Sequence, residues 1–151
     1  QKWSPMAAGH NGLFTEKLLE LVPMEAIEKA SGTHYKALTW TDKEQPGARQ
    51  QAFAKKLQAY PEVKGNEVTV TMSPYYDFLH LLKAVIEQEK SFDPEKVKRA
   101  MDNVKNYPGL VGPISFTPTD HTGVGPDQIA MGTLASVKDA RSLGVFRERA
   151  K

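Results

Sequence analysis

Apolar residues recur at helical spacing from Tyr75 to Ile86. Tyr75, Phe78, Leu79, Leu82, Val85 and Ile86 fall at i, i+3, i+4, i+7, i+10 and i+11, with Asp77, His80, Lys83 and Glu87 off that stripe. The pattern predicts a helix packed along one face, with Ser73 as N-cap and Pro74 at the first helical position, where a missing N–H costs nothing. A second helix is opened by Asp93-Pro94, with Glu95 in its first turn and Val97, Ala100, Met101 and Val104 on one side. Pro113-Ile114-Ser115-Phe116, bracketed by Gly109, Gly112, Pro118 and Gly123, reads as a strand.

Similar patterns run through the rest of the chain. Trp3 to Met6 reads as a short strand and Ala7 to Gly12 as a loop ending in a cap. Phe14, Leu18, Leu21 and Val22 give a helix face up to Pro23, and Met24 to Ala30 a further helical piece that stops at Ser31-Gly32. Thr33 to Trp40, rich in β-branched and aromatic residues, reads as a strand, and Thr41 to Gly47 as a loop. Phe53, Leu57 and Tyr60 mark a helix ended by Pro61. Val68, Val70 and Met72 alternate with threonines, a period of two that predicts a strand running into the Ser73 cap. Beyond Phe116, the stretch Thr117 to Asp127 has turn composition, Gln128 to Leu134 reads as a strand extended by Ala135 to Lys138, and in the last residues Val145 and Phe146 are placed to dock. Alternating strands and helices predict an α/β class rather than a sandwich or a bundle.

Composition narrows the function. In 151 residues, 40% hydrophobic and 25% charged is the balance of an ordinary globular domain, and no apolar run approaches the roughly 20 residues of a membrane helix. The 20 basic and 18 acidic residues are interleaved, so no basic stripe suggests a nucleic-acid partner. The absence of cysteine removes disulfides, thiolate metal sites and cysteine nucleophiles.

Catalytic motifs are missing. The histidines at 10, 34, 80 and 121 form no ligand pair at helical spacing, so no metal site is expected. Asp120-His121 are adjacent residues of a loop, which point apart, and no nucleophile elbow accompanies them. Gly109 to Gly112 and Gly123-Val124-Gly125 lack the spacing of phosphate loops and read as turns. Lys55-Lys56, Lys98-Arg99 and the glutamates at 16, 20, 25 and 28 read as solvated helix surface. Neither an enzyme nor a cofactor is expected. Two stretches, Ala7 to Gly12 and Thr71 to Tyr75, each follow a predicted strand and precede a predicted helix. That is where α/β sheets place ligands, although the same pattern also describes a plain connection with a good cap.

Tyr76-Asp77-Phe78-Leu79, Asp93-Pro94-Glu95-Lys96-Val97 and Gly109-Leu110-Val111-Gly112-Pro113-Ile114-Ser115-Phe116, followed by Asp120-His121-Thr122-Gly123, carry a resemblance in their order and spacing. The chain resembles the type I extracellular solute-binding proteins of ABC transporters, of the branched-chain amino-acid (leucine/isoleucine/valine) receptor type, and a looser likeness runs from about Met6 to Leu134. The resemblance implies the C-terminal portion of a two-lobed type I periplasmic-binding-protein fold. Residues 1–40 then belong to the second lobe, 41–117 to the first, and 118–151 return to the second; the N-terminal portion of the receptor lies outside this sequence.

The resemblance also implies a role. By it, the protein is the substrate-binding component of an ABC transporter in the periplasm or outside the cell, without catalysis or cofactor, and delivers a small organic solute to the permease membrane subunits. The rival on the same fold is a ligand-sensing domain of a receptor or regulator, and a small α/β enzyme is a third class. In resembling receptors both candidate loops edge the cleft, so Ala8, Gly9, His10, Asn11, Thr71, Met72 and Tyr75 are the expected ligand-binding residues. Amino-acid-binding members carry an acidic residue in the first loop, where this chain reads Ala7-Ala8-Gly9-His10-Asn11-Gly12. A buried ammonium needs a compensating charge, so the departure points to a carboxylate or other non-amino-acid ligand packed against Met72 or Tyr75. A solvent-facing His10 is the competing reading.

Overall fold

A computed structural model describes residues 6–10, 21–62, 69–133 and 146–150. Strand β1 (Ala7–Gly9) is followed by a short helix, α1 (Met24–Ile27), and by β2 (Ala30–Tyr35). A single 3₁₀ turn, Lys36–Leu38, leads into β3 (Thr39–Trp40). Three helices come next: α2 (Ala48–Gln58), α3 (Thr69–Glu89) and α4 (Pro94–Met101). Then come β4 (Tyr107–Pro108), β5 (Pro113–Thr117), β6 (Asp120–Gly123), β7 (Ile129–Thr133) and β8 (Arg147–Arg149).

Among the described residues the strands make two sheets. A five-stranded sheet runs β1-β2-β7-β8-β3, and a three-stranded antiparallel sheet runs β4-β5-β6. In the larger one β1 is parallel to β2 and β3 to β8, while β2–β7 and β7–β8 are antiparallel. The chain leaves the larger sheet after Trp40, enters the α2–β6 assembly across 41–47, and returns across 124–128 to begin β7. One buried cluster, Leu38, Trp40, Ala54 and Phe146, fastens α2 to the larger sheet. A second, Leu81, Val85, Val111 and Ile114, joins α3 to the small sheet, and half-buried Tyr35 packs against both clusters. Phe53, Leu57 and Leu110 close the space between α2 and the turn before β5, with Tyr76 against them.

Several elements form as their sequence dictates. Asp93 caps α4, its Oδ1 accepting the Lys96 N–H at 2.9 Å with Pro94 at the first position. Phe53 and Leu57 are buried on α2, though Tyr60 is exposed, and β5 and β7 lie where alternation and turn residues put them.

Elsewhere the fold departs from local pattern. Ala7 to Gly9 is a strand rather than a loop, because pairing with Ala30 to Gly32 supplies its backbone partners. That pairing also draws Ser31-Gly32 into β2, so they do not end a helix. Helix α3 begins at Thr69, so Thr71 and Met72 are helical, Ser73 is a buried interior residue and Pro74 sits inside the helix. Without an N–H, Pro74 forgoes only the bond to the Val70 carbonyl near the helix start, which the rest of a 21-residue helix tolerates. The polar stretch after Phe116 folds back as β6, held by Ser115↔Gly123 and Thr117↔Asp120 pairing. Strand β8 has no sequence signal, although Phe146 beside it does dock, 1% exposed. The expected strand at Trp3–Met6 apart from Met6, which is not in a strand, most of the helix from Phe14 to Val22, the Val68 end of the alternating segment, and Ala135 to Lys138 lie outside the described residues.

The face of α3 that packs is not its apolar stripe. Ser73, Asp77, Leu81 and Val85 are buried at i, i+4, i+8 and i+12. Of the stripe read from sequence, only Val85 is buried; Leu82 and Ile86 are half-buried and Tyr75, Phe78 and Leu79 are exposed. Leu81→Ala in this chain should therefore cost about 2–5 kcal/mol in denaturant titration and Leu79→Ala no more than about 0.5 kcal/mol.

His34, buried in β2, shows the same dominance of tertiary context. Burial lowers its pKa from 6.5 to about 4, with a bond to the Tyr35 carbonyl opposing and Arg147 reinforcing the shift. Because the folded state binds this proton less readily than the unfolded one, stability is complete above pH 6.5 and falls as pH drops toward 4. The expected loss across that window is about 3 kcal/mol, and His34→Gln should flatten the slope in a pH series of melts.

Candidate ligand-binding site

The residues expected at the site fall on two elements. Ala8 and Gly9 are in β1, with Gly9 paired to Gly32 midway along the parallel β2, and His10 directly follows; Ala8 and His10 are exposed and Gly9 half-buried. Asn11 lies outside the described residues. Thr71, Met72 and Tyr75 are exposed on the first turns of α3, within an arc of about 100° at 3.6 residues per turn.

Between α3, α2 and the turn before β5 the structure assembles a junction that sequence reading missed. Asp77, only 1% exposed, accepts the Leu110 N–H on Oδ1 at 2.8 Å and the Val111 N–H on Oδ2 at 3.1 Å. From α2, Arg49 Nη1 donates to the Pro108 carbonyl and Gln50 Nε2 to the Leu110 carbonyl at 3.0 Å. The turn from Pro108 to Gly112 is thus held by one carboxylate and two α2 side chains. It tolerates no added bulk: a Cβ on Gly109 would lie 2.8 Å from Asp77 Oδ2 and 2.7 Å from Ile114 Cδ1. Gly112 adopts a φ of +129°, which L side chains rarely take.

Burial pushes the Asp77 carboxyl above its ordinary pKa, outweighing the two N–H bonds and the nearby charges of Arg49 and His80. The same site raises Tyr35, first by burial and then by the charge of Asp77. In the sequence Asp77 reads as a polar residue off the apolar stripe and as part of the Tyr76-Asp77-Phe78-Leu79 motif, neither of which marks it as buried. Its i, i+4, i+8 relation to Ser73 and Leu81 is the signal that could have found it.

Residues with chemical potential elsewhere are structural. His121 does not pair with Asp120; its Nε2 lies 2.9 Å from Asp102 Oδ1, and Lys98 Nζ is 2.6 Å from the other oxygen. Those bonds, Lys98 first, hold the Asp102 carboxyl below its usual range. Asp120 instead accepts from the backbone and hydroxyl of Thr122. His80 is exposed, its ring 4.2 Å from that of Tyr76. Among the described residues, no group of three or more metal-ligating side chains occurs.

Asp77→Ala orphans two buried N–H groups and should cost about 2–5 kcal/mol in chemical denaturation. The folded pKa of Asp77 lies above its unfolded value, so its contribution is greatest below the ordinary carboxylate range and declines as pH rises through the folded value. The stability difference between the native chain and Asp77→Asn should shrink over that rise.

No curated protein sequence matches the chain. The fold is similar to that of a periplasmic binding protein type 1 from Bordetella pertussis Tohama I, with a TM-score of 0.69 at 21% identity over 87% of this chain and 37% of that one. An extracellular ligand-binding receptor from Rhodopseudomonas palustris HaA2 gives 0.64 at 17% identity, over 97% and 40%. The branched-chain amino acid transporter substrate binding protein LivJ from Streptococcus pneumoniae, solved in complex with isoleucine, gives 0.61 at 19% identity, over 95% and 36%. This chain therefore spans about two-fifths of the length of the solved proteins it resembles. Its α/β architecture is that of part of a two-lobed periplasmic-binding fold. With the sequence pattern of the family matching residues 11–139, the chain belongs to the periplasmic binding proteins.

Proposed function

We propose that this chain is part of the substrate-binding component of an ABC transporter, acting in the periplasm or outside the cell, which encloses a small organic solute between two lobes and delivers it to permease subunits. The observation that carries the reading is the family match over 11–139, joined to a fold shared with an isoleucine-bound transporter protein. The larger sheet is the remnant of one lobe and the α2–β6 assembly that of the other. We place the return between lobes at 124–128, because β6 stays paired to β5. Contacts made by the ligand to both lobes favour the closed arrangement, so closure follows from differential binding and requires no catalytic group.

Within this reading the ligand meets Ala8, Gly9, His10 and Asn11 from one lobe and Thr71, Met72 and Tyr75 from the other. The first group contains no carboxylate to pair with an ammonium, which favours a carboxylate or other non-amino-acid solute. Met72 and Tyr75, 41% and 67% exposed, are available to cover its apolar part.

Calorimetry of the 151-residue chain with leucine, valine and aliphatic or aromatic carboxylates should show no submicromolar binding, because a pocket closed from two sides needs groups from the unmatched part of the receptor. In a thermal-shift screen of the longer receptor polypeptide, carboxylic acids without an amino group should stabilise it. Stabilisation by leucine or valine alone overturns the ligand class and leaves the transport reading; no response to any solute overturns that reading as well.

A further inference from the structure

Arg149 ends β8, and its guanidinium joins three separate stretches of chain. Nε donates to Thr39 Oγ1 in β3 at 3.1 Å, Nη2 to the Lys36 carbonyl in the 3₁₀ turn at 3.5 Å, and Nη1 to the Glu44 carboxylate in the first crossing. The anchoring end is well held: Thr39 is 2% exposed, and its hydroxyl donates to the same Lys36 carbonyl at 2.8 Å. The Arg149 side chain is 21% exposed and that of Glu44 58%. An ion pair between two mobile surface side chains contributes little, because ordering both offsets the attraction. Here the planar fork is already fixed by β3 and the 3₁₀ turn, so only the carboxylate has to be ordered. The bond to Arg149, and then its charge, hold the Glu44 carboxyl below its ordinary range, with a smaller pull from Lys36.

The crossing that presents Glu44 is a closed turn. The Thr41 N–H donates to the Glu44 carbonyl at 2.7 Å, Thr41 Oγ1 accepts the N–H groups of Lys43 and Glu44 at 3.2 and 2.9 Å, and Gln45 Nε2 donates to the Thr41 carbonyl at 3.0 Å. At its other end Gln51 Nε2, from α2, donates to the Pro46 carbonyl at 2.6 Å. The turn is thus bonded to itself and to α2, and Arg149 bonds it back to the larger sheet. The Leu38-Trp40-Ala54-Phe146 cluster also joins the two parts, but apolar packing is non-directional, whereas a guanidinium fork fixes the direction of its acceptor. Gln128, in the return crossing, borders the same hollow as Arg149 and Glu44, so the grip lies where both crossings meet.

We infer that Arg149 is a positioning residue: by gripping Glu44 it sets the angle at which the α2–β6 assembly stands to the larger sheet before any solute binds. Under the proposed function that angle decides how far the two lobes must travel to enclose the solute; the grip itself rests on the two-part structure alone. Because the carboxylate end of the contact is exposed, salt loosens it while leaving the buried cluster in place.

The test measures the distance between the two parts in the longest polypeptide that the gene encodes around this sequence, with no solute added. Nitroxide labels are placed at Lys29→Cys, beside β2, and at Glu95→Cys, on α4, both exposed; the 151 residues contain no cysteine of their own, and any elsewhere is changed to serine. Circular dichroism first establishes that each variant is folded. Arg149→Gln and Glu44→Gln should each widen the distance distribution about twofold and the double variant no further, while salt at about 1 M should widen the native distribution and leave that of Arg149→Gln unchanged. Arg149→Lys, which keeps the charge without the fork, should not restore the native width. If Arg149→Gln does not fold, Glu44→Gln carries the test alone, since it leaves Arg149 bonded to Thr39 and Lys36. A native distribution in either single variant overturns the inference, whatever its melting temperature, as does additive widening in the double variant or full rescue by lysine. The solute screen judges the transport reading separately, so either can fail without the other.

Discussion

A carboxylate buried to 1% exposure is the constraint on which this structure turns. Asp77 holds the Leu110 and Val111 N–H groups, and without it the turn before β5 would carry two buried donors with no bond from that side. Everything adjacent is fitted to this grip. Gly109 leaves room for the carboxylate, Arg49 and Gln50 reach from α2 to the carbonyls of the same segment, and Leu81 and Val85 place α3 one turn further along against Val111 and Ile114. Burial disfavours the charged form, as the raised pKa of Asp77 records. An apolar residue of equal size would avoid that penalty but satisfy neither N–H, so the two bonds to Leu110 and Val111 decide the residue type here.

The parts legible in the sequence are those whose information is local. The Asp93-Pro94 cap, the Phe53/Leu57 face of α2 and the extent of β5 and β7 depend on neighbours a few positions away, and pattern is enough to find them. Strand β1 depends on pairing with residues 23 positions on, and β8 on partners in β7 and β3; their own composition says nothing of either. The misplaced face of α3 has a sharper cause. Helical periodicity marks which side is apolar, whereas burial in this chain follows Asp77 and its two N–H partners, some 33 residues distant. A polar residue thus chooses the packed face. For the candidate site, the pattern puts both stretches between a strand and a helix, whereas Ala7 to Gly9 is itself β1 and Thr71 to Tyr75 lies within α3. The Asp77–Tyr35 junction is not legible, because it requires knowing that the end of β2 lies beside α3.

Fold and function rest on different footings. The family pattern over 11–139 and the shared architecture establish the kind of domain, while identities near 20% say nothing of the ligand. What bears on the ligand is chemistry present in this chain. Under the proposed reading, the end of β1 brings His10 and backbone but no carboxylate to the ligand, and Met72 and Tyr75 bring apolar cover.

The two crossings, 41–47 and 124–128, lie side by side. Glu44, Gln45, Gly47 and Gln128 border one shallow hollow of about 380 Å³, and Arg149 reaches from β8 to the first crossing at Glu44. Besides these two connections, the buried cluster of Leu38, Trp40, Ala54 and Phe146 already holds α2 to the larger sheet. The larger sheet and the α2–β6 assembly are thus coupled by packing as well as by backbone, and a displacement of one is transmitted to the other through Trp40 and Ala54.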